Sequence, residues 1–199
     1  AFANPDAVVI GAGGAGLSAA VTLHDLGREV VVLEKMPMIG GNTVRAEGGI
    51  NAAETPQQKK AGIPDTIDQF YADTMKGGHN LNDPALVRTL TTHAKDAVAW
   101  LVSLGADLNT VGRAGGAKYP RAHRPTDGSA IGPEVIRVLW KAAKDRKMDV
   151  RTQTRATEII MKDGRVAGVK ATTKDGKVYT IDAKAVVLAT GGFGANQDM

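Results

Sequence analysis

Apolar runs and glycine clusters alternate along the first 35 residues. Ala7-Val8-Val9-Ile10 is a continuous apolar run, the pattern of a short strand covered on both faces. From Leu17 the period lengthens. Leu17, Ala20, Val21, Leu23 and Leu26 share one side of a helix, and Gly27 stands where a helix commonly ends in the left-handed conformation. Glu29-Val30-Val31-Val32-Leu33-Glu34 is a second buried strand. Strand, glycine turn, helix and strand in about 30 residues predict a right-handed βαβ unit with parallel strands. Further on, Asp65 to Met75 predicts a short helix closed by Gly77-Gly78. Asp83-Pro84 places an N-cap before a proline, opening a helix over Ala85 to Leu104. Its apolar stripe is Leu86, Leu90, Ala94, Ala97, Val98 and Leu101, and Trp100 and Trp140, also on apolar helical faces, are expected in the core. Residues 106–132 read as loop, and Pro133 opens a helix to about Arg146. From Val150 the period falls to two. Thr157–Lys162, Arg165–Thr173 and Val178–Ala183 are strands joined at Asp163-Gly164 and Asp175-Gly176, which predicts a three-stranded antiparallel meander. Ala185–Ala189 follows as another buried strand.

Composition narrows the function more than the fold. At 199 residues with 43% hydrophobic and 23% charged residues, the chain reads as an ordered globule of about one domain. No apolar stretch approaches the roughly 18 residues of a membrane span. Cysteine is absent, which removes disulfides, thiolate zinc sites, Cys-ligated iron–sulfur clusters, covalent c-type haem and cysteine nucleophiles from this chain. The net charge is +4, but the basic residues are scattered and aromatics are only 4%, too few for base-stacking platforms. No nucleic-acid partner is expected; a small anionic ligand suits the charge as well. The 24 glycines are clustered, and clustered glycine means backbone that approaches something closely.

The first cluster, Gly11-x-Gly13-x-x-Gly16, follows a strand and opens a helix. In that context Gly11 makes the tight turn and Gly13 lets backbone approach a pyrophosphate. Gly16 lets helix and strand pack, while the helix N-terminus offers free N–H groups to the phosphates. Glu34 ends the second strand 18 residues after Gly16, where a carboxylate can accept both hydroxyl protons of an adenosine ribose. The motif, the flanking strands and the acid together predict an adenine dinucleotide. A tight turn that binds nothing leaves Glu34 at the strand end without a reason.

The chain then departs from a nicotinamide-binding pattern. It places Gly41-Asn42-Thr43 just beyond Glu34-Lys35 and inserts an antiparallel meander ending in Ala189-Thr190-Gly191-Gly192. That arrangement resembles the FAD-binding domain of the glutathione-reductase-like flavoproteins, an α/β, Rossmann-type fold with a parallel sheet plus a three-stranded meander. More narrowly, Gly40-Gly41-Asn42-Thr43 with Ala46-Glu47-Gly48-Gly49-Ile50-Asn51-Ala52-Ala53 resembles the fumarate reductase and succinate dehydrogenase flavoprotein family, and within it the soluble flavocytochrome c fumarate reductases. Asp73 to Gly78, Asn82-Asp83-Pro84 and His123-Arg124-Pro125-Thr126 support the narrower match.

The resemblance implies non-covalent FAD, because membrane-bound members carry a flavin-bonding histidine where this chain has Asn42. It implies that Gly11, Gly13, Gly14, Ala15 and Gly16 hold the pyrophosphate, Glu34 the ribose, and Lys35 the adenosine side. Gly41, Asn42 and Thr43 would reach the pyrophosphate and ribityl region. Gly48 and Gly49 would lay backbone N–H groups near the flavin ring, Ala156 would meet adenine through its backbone, and Ala189, Thr190 and Gly191 would close over the pyrophosphate. The implied activity is FAD-dependent reduction of a C=C bond in a dicarboxylate-like substrate, with a cytochrome or haem domain as electron donor and a periplasmic location. Urocanate reductases, ketosteroid dehydrogenases and aspartate oxidases share the pattern, and a non-catalytic FAD-binding module fits it as well.

The remaining candidates are weaker. His24 reads as a surface residue, and His79 and His93 stand alone, so no metal site is expected. His123, Arg124 and Asp127 share a glycine-rich stretch and either serve a carboxylate or the flavin, or fix an irregular loop by hydrogen bonds. Residues 1–6, opening Ala-Phe-Ala, are expected to be a linker or signal-peptide remnant. Residues 7–199 are expected to be an incomplete FAD-binding domain, with a capping domain, the returning part of the fold and the catalytic acid beyond Met199. No catalytic residue is therefore nominated.

Overall fold

The computed structural model describes residues 4–198, so Ala1 to Ala3 of the expected linker or signal-peptide remnant and the terminal Met199 lie outside the described residues. The chain divides into two compact units: residues 4–45 with 139–198, and residues 46–138.

The first unit contains the predicted βαβ motif. Strand β1 (Ala7–Ile10) and β2 (Val30–Leu33) are wholly buried and pair in parallel, with Ala7 opposite Val30 and Ile10 opposite Leu33. Helix α1 (Gly14–Asp25) connects them, buries Leu17, Ala20 and Val21, and ends at Gly27 with φ +76°. Each large side chain so buried contributes about 1.5–3 kcal/mol. Five further elements complete the unit after the excursion into the second: β6 (Asp149–Arg151), β7 (Thr154–Lys162), β8 (Arg165–Thr173), β9 (Val178–Asp182) and β10 (Ala185–Leu188). The parallel sheet has the order β10-β1-β2-β6, and β7-β8-β9 is the antiparallel meander. Its first turn holds Asp163 at φ +50° and Gly164 at φ +73°, the left-handed pair that a tight hairpin with right-handed twist requires. Val169, Ala171, Ile181 and Ala183 of the meander segment pack on Val8, Ile10, Val31 and Leu33, which gives one face of the parallel sheet its cover.

The second unit is mainly helical. It contains α2 (Pro56–Lys60), α3 (Ile67–Gly77), α4 (Pro84–Ser103) and the start of α5 (Ile131–Asp145). Asp83 caps α4 as its sequence predicts, accepting the Ala85 and Leu86 N–H groups at 2.8 and 3.1 Å. Residues 106–132 are not simply loop. They contribute β4 (Thr110–Gly112) and β5 (Ala122–Arg124), which with β3 (Ile50–Asn51) form an antiparallel sheet of order β3-β5-β4.

Three burial expectations are corrected. The buried stripe of α4 is Val87, Thr91, Ala94, Val98 and Leu101, whereas Leu86 and Leu90 are exposed and so is Ala97. Thr91 can enter the core because its hydroxyl donates to the Val87 carbonyl at 3.0 Å. Strand β10 is only half-covered, with Leu188 67% exposed, because it lies at the sheet edge with β1 as its one strand neighbour among the described residues. Trp100 and Trp140 are half-buried rather than core.

Candidate functional site

The turn from β1 into α1 is built almost wholly from backbone. Gly11 has φ +106°, and a Cβ there would fall 2.3 Å from the Ala189 carbonyl oxygen. A Cβ on Gly16 would fall 1.8 Å from the Gly11 oxygen. Both positions are glycine because protein atoms already occupy the space. The Ala189 N–H donates to the Ile10 carbonyl at 2.9 Å, so the second glycine turn runs beside the first; Thr190 and Gly191 continue it and are exposed.

Residues 40–43 brace the same turn. The Gly40 N–H donates to the Ala12 carbonyl at 2.8 Å, and the Gly14 N–H donates to the Thr43 hydroxyl oxygen at 3.0 Å. Thr43 therefore satisfies the first helical amide of α1, and a Cβ on Gly14 would meet its side chain at 2.9 Å. The Thr43 hydroxyl proton remains free to donate. Gly41, with φ +53°, and Gly13 face each other across this contact. Asn42 beside them is exposed.

Gly13 is different. Its backbone, at φ −82° and ψ −168°, is open to any residue, and the nearest atoms to an added Cβ are 3.7–3.9 Å away. Neither strain nor packing demands glycine there. Next to it, the Ala15 and Gly16 N–H groups have no acceptor among the described residues. An anion seated over Gly13 would take up both amides and the positive end of the α1 dipole. The turn therefore fits a pyrophosphate.

Glu34 has an internal task that sequence reading missed. Its carboxylate is 7% exposed and accepts the Ala12 N–H at 2.9 Å and the Met36 N–H at 2.8 Å. It ties the glycine turn to the end of β2, and the remaining lone pairs of its oxygens can still accept from a ligand hydroxyl. Lys35 is exposed beside it and lines a cavity of about 560 Å³ with Met36, Gln153, Arg155, Thr172 and Lys174. Ala156 follows Arg155 on β7 at a register shift and is half-buried against the core. The cavity residues after Gln153 carry no local motif; only the folding back of β7 and β8 brings them beside Lys35.

Gly48 and Gly49 belong to the second unit. A Cβ on Gly49 would lie 2.9 Å from the Ala122 carbonyl carbon and the His123 oxygen, so β5 accounts for that glycine; Gly48 has nothing within 4 Å. His123 is fully buried, with Nε2 2.8 Å from the Thr55 hydroxyl and Nδ1 at 2.9 and 3.1 Å from the Arg121 and Ile50 carbonyls. Asp127 is exposed and accepts the Ser129 side-chain and backbone donors, which hold it below the usual carboxylate range. These contacts tie His123 into β5 and Asp127 into its turn. Arg121, which the sequence did not single out, is 2% exposed and clasps Asp65 through two bonds at 2.8 and 2.9 Å, with Asp73 at 2.9 Å and the Phe70 ring 4.8 Å away. Burial alone would raise the Asp73 pKa; hydrogen bonds from the Lys118 N–H and the Gln69 side chain, with Arg121 beside it, hold it low.

Comparison with known proteins places this architecture. The chain is 48% identical over 194 residues to the fumarate reductase (cytochrome) of Shewanella frigidimarina, covering 97% of this chain and 34% of that protein. It is 45% identical to the NADH:fumarate oxidoreductase of Klebsiella pneumoniae, over 98% of this chain and 21% of that one. It is similar to the open conformation of a flavocytochrome c3 fumarate reductase, with TM-score 0.93 and 42% identity over 98% of this chain and 35% of that one. The chain thus spans about a third or less of the length of these relatives. The FAD binding domain family matches residues 6–199, and the chain belongs to that family.

Proposed function

We propose that this chain is the FAD-binding part of a flavin-dependent reductase of activated C=C bonds, with fumarate-like unsaturated carboxylates as the substrate class. The observation that carries the reading is the seat over Gly13, where two unpaired α1 amides lie at a glycine that the protein itself does not require. In this reading Gly13, Gly14, Ala15 and Gly16 hold the pyrophosphate. Glu34 and Lys35 receive the adenosine, while Gly41, Asn42 and Thr43 serve the pyrophosphate and ribityl side. Ala156 offers backbone to the adenine, and Gly11, Ala189, Thr190 and Gly191 shape the turn that closes the seat. Gly48 and Gly49 lend backbone N–H groups to the flavin ring, where donors stabilise developing negative charge. When bound, the flavin supplies hydride from N5 to one alkene carbon while an acid protonates the other.

In this reading that acid is supplied from outside this stretch of chain. His123 and Arg121 are locked in buried bonds, and His24, His79 and His93 are exposed. Asn42 offers no imidazole nitrogen for a flavin bond, so the cofactor is held non-covalently. Electrons come from a cytochrome or haem domain, the kind of donor named for the Shewanella relative. No helix among the described residues is long and apolar enough to cross a membrane. The proposal includes a periplasmic location, which fractionation of producing cells checks.

The test is a titration of the chain with FAD followed by flavin fluorescence, then assay with reduced viologen and fumarate or urocanate. Weak FAD binding without turnover is expected of the chain alone. An absence of FAD binding overturns the reading, and turnover by the chain alone overturns the placement of the acid elsewhere.

A further inference from the structure

His123 lies in the middle of β5, opposite Ile50 of β3, and both ring nitrogens are committed. The Arg121 and Ile50 carbonyls can only accept, so the imidazole proton sits on Nδ1, shared between them. In the neutral ring Nε2 then accepts the hydroxyl proton of Thr55, whose Oγ1 also accepts the Gln58 N–H at 3.1 Å. Burial disfavours a second proton and lowers the pKa, against the pull of those two carbonyls. One neutral tautomer is enforced. Thr55 is itself immobilised: it is the N-cap of α2, in a reciprocal capping box with Gln58, and is 2% exposed.

The bracing acts on a particular stretch of backbone. Strand β3 starts directly after Gly48-Gly49, and the Gly49 backbone rests on that of Ala122 and His123 with no space for a Cβ. The ring holds the Ile50 carbonyl, and the strand backbone holds Gly49. A core residue needed only for packing could be apolar; here both ring nitrogens are engaged, Nε2 by Thr55 and Nδ1 by the Arg121 carbonyl and by the carbonyl of Ile50, the residue that follows the glycine pair.

We propose that His123 is a positioning residue for the Gly48–Gly49 backbone: braced by Thr55, it anchors the Ile50 carbonyl and so sets the direction in which the two glycine amides present themselves to the flavin. This rests on the flavin role proposed above for those glycines.

The experiment compares the 199-residue chain with His123→Asn, which retains a donor near the Nδ1 position, and His123→Leu, which retains none. Amide hydrogen exchange is read at residues 48–51 and, as reference, across α4; the midpoint potential of bound flavin is the second readout. His123→Leu is expected to speed exchange at residues 48–51 by about tenfold or more with much smaller change in α4. It also lowers the flavin potential, because loosened donors stabilise the reduced ring less. His123→Asn restores both in large part. If His123→Leu does not fold, Thr55→Val takes its place, removing the brace while leaving the ring, and is expected to speed the same amides. Unchanged exchange at residues 48–51, or a uniform rise across the unit with an unmoved potential, overturns the proposal. Wild-type chain that binds no FAD overturns the proposed function instead, whereas silent His123 variants of an FAD-binding chain overturn this inference alone.

Discussion

Substituting alanine at Gly13 and at Gly16 separates a glycine required by the ligand from one required by the fold. At Gly16 the new Cβ lies 1.8 Å from the Gly11 oxygen and 2.9 Å from its carbonyl carbon. Both are backbone atoms of the tight turn, so no side chain can move aside, and a loss of at least about 3 kcal/mol is expected. At Gly13 the nearest atoms are 3.7 Å away and the backbone is already in the extended region. Alanine is a poorer N-cap than glycine by up to about 1 kcal/mol, and restricting the unfolded chain offsets this by about 0.4–1 kcal/mol. The stability of the apo chain should therefore change by less than about 1 kcal/mol. FAD binding should not survive as well. A methyl over Gly13 pushes the pyrophosphate from the Ala15 and Gly16 amides, and each charge-assisted bond is worth about 1.5–3 kcal/mol. Losing both lowers affinity by roughly 10²- to 10⁴-fold. Urea unfolding of the apo chains and fluorescence titration with FAD measure the two quantities separately. A Gly13→Ala chain that binds FAD like wild type, or that loses as much apo stability as Gly16→Ala, refutes the reasoning.

Three other outcomes are expected. Glu34→Ala should lower both FAD affinity and apo stability, the latter by at least about 2 kcal/mol, because a buried carboxylate accepting two backbone amides is removed; Glu47→Ala, at an exposed position, should alter neither, and equal FAD dissociation constants for the two variants count against the ribose assignment. Flavin should leave the chain intact on acid or heat denaturation, since Asn42 cannot be its covalent ligand, and a yellow band surviving denaturing electrophoresis would contradict this. Because burial lowers the His123 pKa, the unfolded chain takes up that proton first as pH falls below about 6.5, and stability declines from there toward the folded-state pKa. His123→Asn should flatten the loss between about pH 6.5 and 5 in urea unfolding, whereas an unchanged slope would show that this histidine does not control it.

The parts of the fold that could be read from the chain are those specified within a few residues of sequence. The βαβ unit announces itself through two apolar runs and a glycine turn, and Asp163-Gly164 sets the β7–β8 hairpin of the meander by its own backbone conformation. Strand β6 does not. Asp149-Val150-Arg151 has no apolar run, and its strand character comes from pairing with Val31–Leu33, more than a hundred residues away in sequence. The small sheet of β3, β4 and β5 fails for the same reason, since strands of two or three residues are held by pairing and by the buried Arg121–Asp65 and His123–Thr55 contacts. On α4 the leucines at 86 and 90 fit a helical stripe, but the packed stripe lies one position on. Periodicity cannot separate two adjacent stripes when a threonine that satisfies its hydroxyl internally is free to enter the core.

The site shows the same division at finer grain. Glycine, read as a letter, says only that a side chain is not tolerated; the structure says by what. At Gly11 the obstacle is Ala189, at Gly16 it is Gly11, at Gly14 it is Thr43, and at Gly49 it is β5. These four are explained by the fold and carry no independent information about a cofactor. Gly48 is open, but so are surface glycines such as Gly77 and Gly115, so openness alone assigns nothing to it. Gly13 is the informative case, because Gly40, Gly41 and Thr43 all come within 3.7–3.9 Å of an added Cβ and yet leave it room. A half-enclosed position that tolerates alanine but holds glycine, beside two helix amides without acceptors among the described residues, is the feature that the proposed anionic ligand would explain. The charge it would meet there is negative.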